Sequence, residues 1–215
     1  MDVLTFGTWY YIMGIMGIAV FTITGVLAGA KKGMDLFGII IIGVITALGG
    51  GTLRDLILDV PIFWINNNLY IAIALSGAIV AFFLAKPLWC SYRTLLILDG
   101  LGVALFNVQA IDKTLAYGFN PVIAIIMGII TGITGGIIRD LLTGNPSLIL
   151  RQELYATPIL IGGVFYIIWL TYLPDVSFGS LLAILIVFLI RFAAIKWDLR
   201  YPYWLLFPGK DGSEE

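Results

Sequence analysis

The sequence predicts an all-α membrane protein of seven transmembrane helices, built from two inverted three-helix repeats and a seventh helix. Three observations predict this fold. The 215 residues are 60% hydrophobic and 12% charged, whereas soluble domains average about 45–50% apolar and about 25% charged residues. The apolar residues form continuous runs without the alternation of membrane strands. One charged motif also occurs twice, at equivalent places in two of these runs.

The seven predicted spans are apolar segments of about the length that a helix needs to cross the hydrocarbon core. The third and the seventh are the shortest. The spans cover residues 10–30, 36–58, 69–84, 94–111, 122–142, 154–173 and 178–192.

The basic residues between the spans predict the orientation of the chain, because cytoplasmic loops of membrane proteins are enriched in Lys and Arg. One set of loops holds Lys31, Lys32, Lys86, Arg93 and Arg151. The opposite loops hold only Lys113, together with Asp2, Asp59, Asp112 and Asp175. We therefore expect the N-terminus outside and the C-terminus in the cytoplasm.

An internal repeat connects the two halves of the chain. The motif Gly-Gly-x-x-Arg-Asp occupies residues 50–55 and 135–140, an offset of 85 (139 − 54). The same offset pairs Gly17 with Gly102 and Pro61 with Pro146. Residues 1–88 thus repeat in 89–175, residues 176–200 carry the seventh helix, and 201–215 form a cytoplasmic tail. Because each repeat has three spans, the second must enter the membrane inverted.

Glycines at equivalent places in the second and fifth spans predict a transport pathway. Glycine in a helix costs about 1 kcal/mol relative to alanine, so we expect these helices to be interrupted and kinked there. Irregular backbone at membrane depth is tolerated where it lines a wet cavity. The alternative is close helix packing through small residues. The candidate pathway residues are Gly49, Gly50, Gly51, Thr52, Thr134, Gly135 and Gly136, joined by Asp99 and Asn107 of the fourth span.

Two Arg-Asp pairs, Arg54-Asp55 and Arg139-Asp140, follow the glycines. Charges at membrane depth are costly and are candidates for gating or pore function. The alternative is that the helices end here and the charges reach the interface. Adjacent residues on a helix do not face each other, so we expect neither pair to be a simple ion pair. Asp99 could attract cations or pair with an arginine.

Several functions are excluded or disfavoured by composition. Without His, and with Cys90 as its one Cys, the chain has no His-based metal site, Ser-His-Asp triad or intrachain disulfide. Its net charge of −1 argues against a nucleic-acid partner. We expect neither an enzyme nor a bound cofactor. The basic fringe of Lys31, Lys32 and Arg93 is explained by topology, and we expect it to face membrane lipids.

Nearly the whole chain resembles the prokaryotic branch of the trimeric intracellular cation (TRIC) channels, a family that also includes bacterial proteins proposed to transport glycine. The doubled Gly-Gly-x-x-Arg-Asp motif carries most of the resemblance, with Asp35, Phe106 and Tyr155 among the further matches. Two departures are Thr134, which replaces the first glycine of the second triplet, and Asp59, which stands where glycine is usual.

The resemblance implies a homotrimer with a pore in each protomer and potassium, or sodium, as the permeant ion. An alternative is a small amino-acid (glycine) transporter, in which a half-helix N-terminus near Gly51 or Gly136 would hold a substrate carboxylate with Arg54 and Arg139. A structural membrane protein is a third interpretation, and only the glycines and the intramembrane charges argue against it.

Overall fold

The computed structural model describes residues 3–85, 92–150, 154–173 and 178–202, except for the side chains of residues 3–7 and 85. These ranges form eight α helices and a short 3-10 turn, Leu148–Leu150. The helices are α1 (Val3–Lys31), α2 (Leu36–Ile57), α3 (Phe63–Asn66), α4 (Asn68–Ala85), α5 (Tyr92–Ala116), α6 (Pro121–Leu142), α7 (Ala156–Tyr172) and α8 (Gly179–Trp197). The predicted tail beyond residue 202, and Lys86 and Arg151, lie outside the described residues.

The predicted all-α fold is confirmed, and each predicted span coincides with one long helix. Within the described ranges, five helices are long and apolar enough to cross a membrane: α1 from Thr8 onward, α2, α5, α6 and α8. Helices α4 and α7 are apolar but shorter. Large apolar side chains point outward, such as Phe37, which is 73% exposed, and Leu141, which is 76% exposed. Such a surface suits hydrocarbon rather than water.

The turns that connect the helices repeat with the same offset of 85 residues. The Asp35 side chain accepts a hydrogen bond from the Gly38 N–H at the start of α2, and Asn120 accepts one from the Ile123 N–H at the start of α6. Each side chain satisfies one of the N–H groups that a helix leaves unpaired at its N-terminus. The repeat therefore extends from the sequence motif to the helix caps.

The turns after α2 and α6 are also equivalent, and they account for one departure from the family pattern. Asp59 adopts a left-handed backbone conformation with φ of 53°, and Gly144 does so with φ of 62°. Glycine is the residue that takes this conformation without steric cost. Asp59 therefore keeps the shape of the turn that its glycine counterpart has at Gly144.

Helices α1 and α5 cross antiparallel through glycines and aromatic rings. A β-carbon at Gly17 would lie 3.1 Å from the Phe106 ring, and one at Gly102 would lie 3.3 Å from the Phe21 ring. The two rings stack with their centroids 5.3 Å apart. Equivalent residues of the two halves therefore meet at the centre of the protein.

Helices α2 and α6 make the second central crossing, which corrects one prediction. A β-carbon at Gly50 would collide with the Thr131 carbonyl oxygen, and one at Gly135 would lie 2.5 Å from the Thr46 carbonyl oxygen. Both helices continue without interruption through these glycines. The predicted interruption is wrong, because the glycines allow two backbones to approach closely rather than break the helix.

Candidate functional site

A buried ionic cluster lies at the C-terminal end of α2. The Asp55 carboxylate accepts hydrogen bonds from Arg54 Nε at 2.8 Å and from Lys113 Nζ at 2.8 Å, both on Oδ1. Its Oδ2 accepts the backbone N–H of Phe63 at 2.9 Å. We call Arg54, Asp55 and Lys113 the Asp55 cluster. Each charge is buried, and each has a partner of opposite sign, as a low-dielectric site requires.

A second cluster lies at the equivalent end of α6. The Asp140 Oδ1 accepts a hydrogen bond from Arg139 Nε at 2.9 Å, and its Oδ2 accepts the Leu148 backbone N–H at 3.2 Å. The other partner of Arg139 is Asp99 on α5, at 2.7 Å. We call Arg139, Asp140 and Asp99 the Asp140 cluster. The contacts of Asp140 with Arg139 and Leu148 correspond to those that Asp55 makes 85 residues earlier, with Arg54 and Phe63.

Both arginines therefore bind the neighbouring aspartate, and the expectation that adjacent residues cannot pair is wrong here. The rule describes which positions are neighbours on the surface of a regular helix. These pairs lie in the last turns of α2 and α6, where each aspartate also binds the backbone of the segment after the helix. The long arginine side chain reaches the carboxylate from the same side. The expectation that Asp99 pairs with an arginine is confirmed.

Two residues expected in an outer loop are buried inside α5. This helix extends to Ala116, so Asp112 and Lys113 belong to its last turns, where they are only 3% and 8% exposed. The Asp112 carboxylate accepts a hydrogen bond from the Tyr166 hydroxyl at 2.6 Å. The predicted span ended at residue 111 because hydropathy counts each charged residue as polar. A charged side chain can nevertheless be buried inside a helix bundle when another group binds it.

Two contributors to the Asp140 cluster were not predicted. The Tyr155 hydroxyl donates a hydrogen bond to Asp99 Oδ2 at 2.9 Å. The Arg191 guanidinium of α8 lies 4.6 Å from the centroid of the Tyr155 ring and donates to the Leu154 carbonyl at 2.8 Å. The signal for Arg191 in the sequence is a cation followed by the apolar residues 192–195. Its side chain is fully buried.

Several buried polar atoms have no hydrogen-bond partner among the described residues. They include three oxygens on the central helices, namely Thr22 Oγ1, Asn107 Oδ1 and Thr131 Oγ1. One guanidinium nitrogen of Arg54 and one of Arg139 are also unpartnered. Such atoms are rare in folded proteins and call for an explanation. They mark the region between α1, α5 and α6 as polar at membrane depth.

The remaining candidate pathway residues are mostly engaged in packing. The Thr52 and Thr134 hydroxyls bind carbonyls of their own helices, at 2.7 and 2.6 Å. Gly49 packs against Ile138, and Gly51 packs against the Phe63 ring. Gly136 differs, because a β-carbon there would lie 3.2 Å from both Asp99 Oδ1 and the Tyr155 hydroxyl.

A cavity of about 250 Å³ adjoins the Asp140 cluster. It lies where the end of α1 and the start of α5 meet the turn after α6. Its lining residues are Ala28, Lys31, Tyr92, Leu95, Asp140, Asn145, Pro146 and Leu148. Lys31, like Lys32 and Arg93 of the basic fringe, is exposed. The cavity thus connects a buried carboxylate with the exposed end of the helix bundle.

The fold and these buried clusters define an integral membrane protein of the TRIC channel class. The chain superposes on a TRIC channel orthologue from Rhodobacter sphaeroides with a TM-score of 0.85 and 37% identity, covering 88% of this chain and 98% of that one. A prokaryotic TRIC channel crystallised in 0.5 M KCl gives a TM-score of 0.80 and 31% identity, with 89% and 98% covered. The predicted resemblance is confirmed.

The chain belongs to the family described as Glycine transporter, whose sequence pattern matches residues 11–86 and again 96–171. The two matched segments begin 85 residues apart, as the internal repeat does. Among curated relatives, the inner membrane protein YadS of Escherichia coli (strain K12) is 38% identical over 203 residues, 91% of this chain and 96% of YadS. The membrane protein YvgT of Bacillus subtilis (strain 168) is 31% identical, with 89% and 94% covered.

Proposed function

We propose that the protein is a passive channel for monovalent cations, chiefly potassium, with a pathway through each protomer between α1, α2, α5 and α6. The observation that carries this proposal is the set of unpartnered oxygens of Thr22, Asn107 and Thr131. Oxygen ligands can replace part of the hydration shell of a permeating cation. Thr22 and Asn107 occupy equivalent positions of the repeat, so the two halves supply oxygens from matching helices.

The pairing of the arginines also supports cation conduction. An unpaired arginine beside the pathway would repel cations, but Arg54 binds Asp55, and Arg139 binds both Asp99 and Asp140. The positive charges of Arg54 and Arg139 are therefore compensated locally. In this proposal the arginines hold the helix ends together and set the field beside the pathway, while the glycines Gly50 and Gly135 keep α2 and α6 close.

We further propose seven transmembrane helices in two inverted repeats, and a homotrimer in the cell membrane of a prokaryote. The antiparallel crossing of α1 and α5 supports the inversion, because Gly17 meets Phe106 while Phe21 meets Gly102. One solved relative is described as a trimeric channel. The N-terminus lies outside, and the exposed Lys31, Lys32 and Arg93 contact lipid headgroups.

Single-channel recording of the purified protein in planar bilayers under a potassium gradient tests the proposal. Unitary currents that reverse near the potassium equilibrium potential are expected. Thr22→Val, which removes an unpartnered oxygen, should lower the unitary conductance. Thr24→Val is the matched control, because the Thr24 hydroxyl binds the Phe21 carbonyl of its own helix at 2.9 Å. A bilayer that stays silent with protein known to be folded would contradict the channel.

Glycine transport is the second candidate, favoured by the free nitrogens of Arg54 and Arg139, which could hold a carboxylate. The uninterrupted helices count against it, because α2 and α6 offer no half-helix N-terminus at Gly51 or Gly136. Saturable glycine counterflow in proteoliposomes, without unitary currents, would establish transport instead of conduction.

A further inference from the structure

We propose that a small monovalent anion such as chloride binds to Arg54 in the Asp55 cluster. The anion would take the place that corresponds to the Asp99 carboxylate, which binds Arg139 in the second half of the chain. Such a site would exist whether or not the protein conducts cations, because it depends only on the groups around Arg54.

The two arginines of the repeated motif differ at one nitrogen atom. Both donate from Nε to the aspartate that follows, Arg54 at 2.8 Å and Arg139 at 2.9 Å. Arg139 also donates from Nη1 to Asp99 Oδ1 at 2.7 Å, whereas Nη1 of Arg54 has no hydrogen-bond partner among the described residues. The Arg54 side chain is only 1% exposed. Because a charged donor that is buried without an acceptor is costly, Nη1 of Arg54 is a place for an anion.

The repeat explains why Arg54 lacks the second acceptor. The position equivalent to Asp99 is Gly14 (99 − 85), which has no side chain to offer. The Tyr155 hydroxyl, which binds the other oxygen of Asp99, has its counterpart in Tyr70 (155 − 85). The first half of the chain therefore keeps an arginine and a tyrosine but lacks the carboxylate that these residues bind in the second half.

The packing of the first half brings these groups close together. The guanidinium carbon of Arg54 lies 5.8 Å from the centroid of the Phe63 ring, and that ring packs edge-on against Tyr70 with the centroids 5.1 Å apart. A β-carbon at Gly14 would lie 3.4 Å from Tyr70 Cε1 and 2.5 Å from Gln109 Nε2. A guanidinium, a phenol and an amide, all of which can donate hydrogen bonds, thus lie near Gly14.

The charges around Arg54 favour a negative ion. Arg54 and Lys113 share the single carboxylate of Asp55. Asp112, the other buried carboxylate near the end of α5, accepts the Tyr166 hydroxyl, and no ion pair within the described ranges joins it to either cation. An anion at Nη1 of Arg54 would therefore offset the second cation of the Asp55 cluster.

The free nitrogens of Arg191 do not define an equivalent anion site. Its Nε and Nη2 also have no hydrogen-bond partner in the described part of the chain, and the side chain is fully buried. The neighbouring Asp140 cluster, however, holds two carboxylates, Asp99 and Asp140, for the one guanidinium of Arg139. The charge of Arg191 offsets the second carboxylate, so an added anion there would leave a net negative charge.

The comparison with Asp99 also restricts the kind of anion. Asp99 presents one oxygen, Oδ1, to Arg139, so the corresponding ligand of Arg54 needs a single small acceptor, which a halide ion supplies. A zwitterion such as glycine is disfavoured, because its ammonium group would lie close to the positive charges of Arg54 and Lys113.

Thermal unfolding of the purified full-length protein in detergent tests the site. Sodium chloride and sodium bromide should raise the melting temperature saturably above its value in sodium gluconate of the same ionic strength, because a ligand that binds only the folded protein stabilises it. Added glycine should give no such rise. Equal melting temperatures in chloride and gluconate would overturn the proposal, as would a rise with glycine and none with chloride.

Crystals grown in sodium bromide locate the ion directly. Anomalous diffraction should place a bromide ion within hydrogen-bond distance of Nη1 of Arg54. Bromide found only at other positions would contradict the site, even if halides stabilise the protein.

A double variant supplies the missing carboxylate. Gly14→Asp combined with Gln109→Thr reproduces the second half of the chain, where the corresponding residues are Asp99 and Thr24 (109 − 85). The change to threonine removes the amide that a β-carbon at Gly14 would meet. The double variant should lose the response to chloride, and Gln109→Thr alone is the matched control that should keep it. Equal chloride responses of the two proteins would argue against binding at this place.

A single hydroxyl provides an independent variant that preserves the packing. Tyr70→Phe keeps the ring contacts but removes one donor to the anion, so the chloride concentration for half of the stabilisation should rise about tenfold. Tyr155→Phe is the control, because its hydroxyl binds Asp99; its chloride response should equal that of the wild type. A Tyr70→Phe protein that responds to chloride as the wild type does would contradict the proposed site.

Discussion

The rings of Phe21 and Phe106 stack on each other with an angle of 15° between their planes, and the two residues are 85 positions apart. Two residues related by a twofold rotation contact each other only where the axis passes between them. For the inverted repeats proposed above, the stack therefore lies at the approximate symmetry axis. Around it, Gly17 and Gly102 each receive the ring from the other half. The contact between α1 and α5 is thus filled by apolar packing at this level.

Because α2 and α6 cross closely, we expect even a single added methyl group at the crossing to lower the stability of the protein. Gly50→Ala places a β-carbon against the Thr131 carbonyl, and Gly135→Ala places one against the Thr46 carbonyl, so the helices must separate. We expect each variant to lower the free energy of unfolding by about 1–3 kcal/mol. Thermal unfolding in detergent measures this. Gly77→Ala is the control, because its β-carbon would approach no atom closer than 3.7 Å; equal stability of all three variants would contradict the close crossing.

The left-handed residue Asp59 predicts a stabilising substitution. Asp59→Gly removes the steric cost of its positive φ, about 1–2 kcal/mol for an L-residue, and Asp59 is exposed, so little else changes. We expect the melting temperature to rise. The reverse change, Gly144→Asp, should lower it, although nothing lies within 4 Å of a β-carbon at that position. Opposite signs in the two thermal scans are the result that this interpretation requires.

An added amine should replace the ammonium group of Lys113 when this residue is substituted. Lys113→Ala leaves Asp55 without its third donor, and loss of one partner from a buried ion pair costs about 3–5 kcal/mol. Added methylammonium should restore part of the lost thermal stability by occupying the vacated position, whereas tetramethylammonium, which has no N–H, should not. Lys32→Ala, a change at the exposed end of the same bundle, should show neither loss nor rescue. Failure of methylammonium to stabilise Lys113→Ala would mean that the position does not accept a free ammonium group.

The hydrogen bond from the Tyr155 hydroxyl to Asp99 is expected to stabilise the folded protein. Tyr155→Phe keeps the ring beneath Arg191 but removes the hydrogen bond to Asp99. A hydrogen bond to a charged group is worth about 1.5–3 kcal/mol, and we expect a destabilisation of that size in equilibrium unfolding. Tyr172→Phe, at a residue that is 77% exposed, serves as the control. If the two variants unfold alike, the Asp99 contact contributes nothing measurable.

Hydropathy and the repeated motif were sufficient to predict the helices and their order. They were not sufficient to predict which groups pair. Lys113 binds Asp55 across 58 residues of sequence, and such a contact depends on the rotation of α5 against α2, which no local pattern records. Gly50 and Gly135 of the motif face the carbonyls of Thr131 and Thr46 in the opposite helices, and no local pattern predicts these contacts. The low helix propensity of glycine predicted a break in α2 and α6, whereas in the structure these glycines allow the two helices to cross closely.

The difference between Lys113 and Ala28 shows what two joined repeats can do that two separate ones cannot. Two identical halves, associated as a dimer about the same axis, would carry the same residue at both positions and form two identical clusters. Joining the halves in one chain allows each copy to diverge separately. Here the ammonium group of Lys113 fills the position beside Asp55, and Ala28 leaves a cavity at the equivalent position beside Asp140. One chain can therefore hold two clusters that differ in charge and in access from the surroundings.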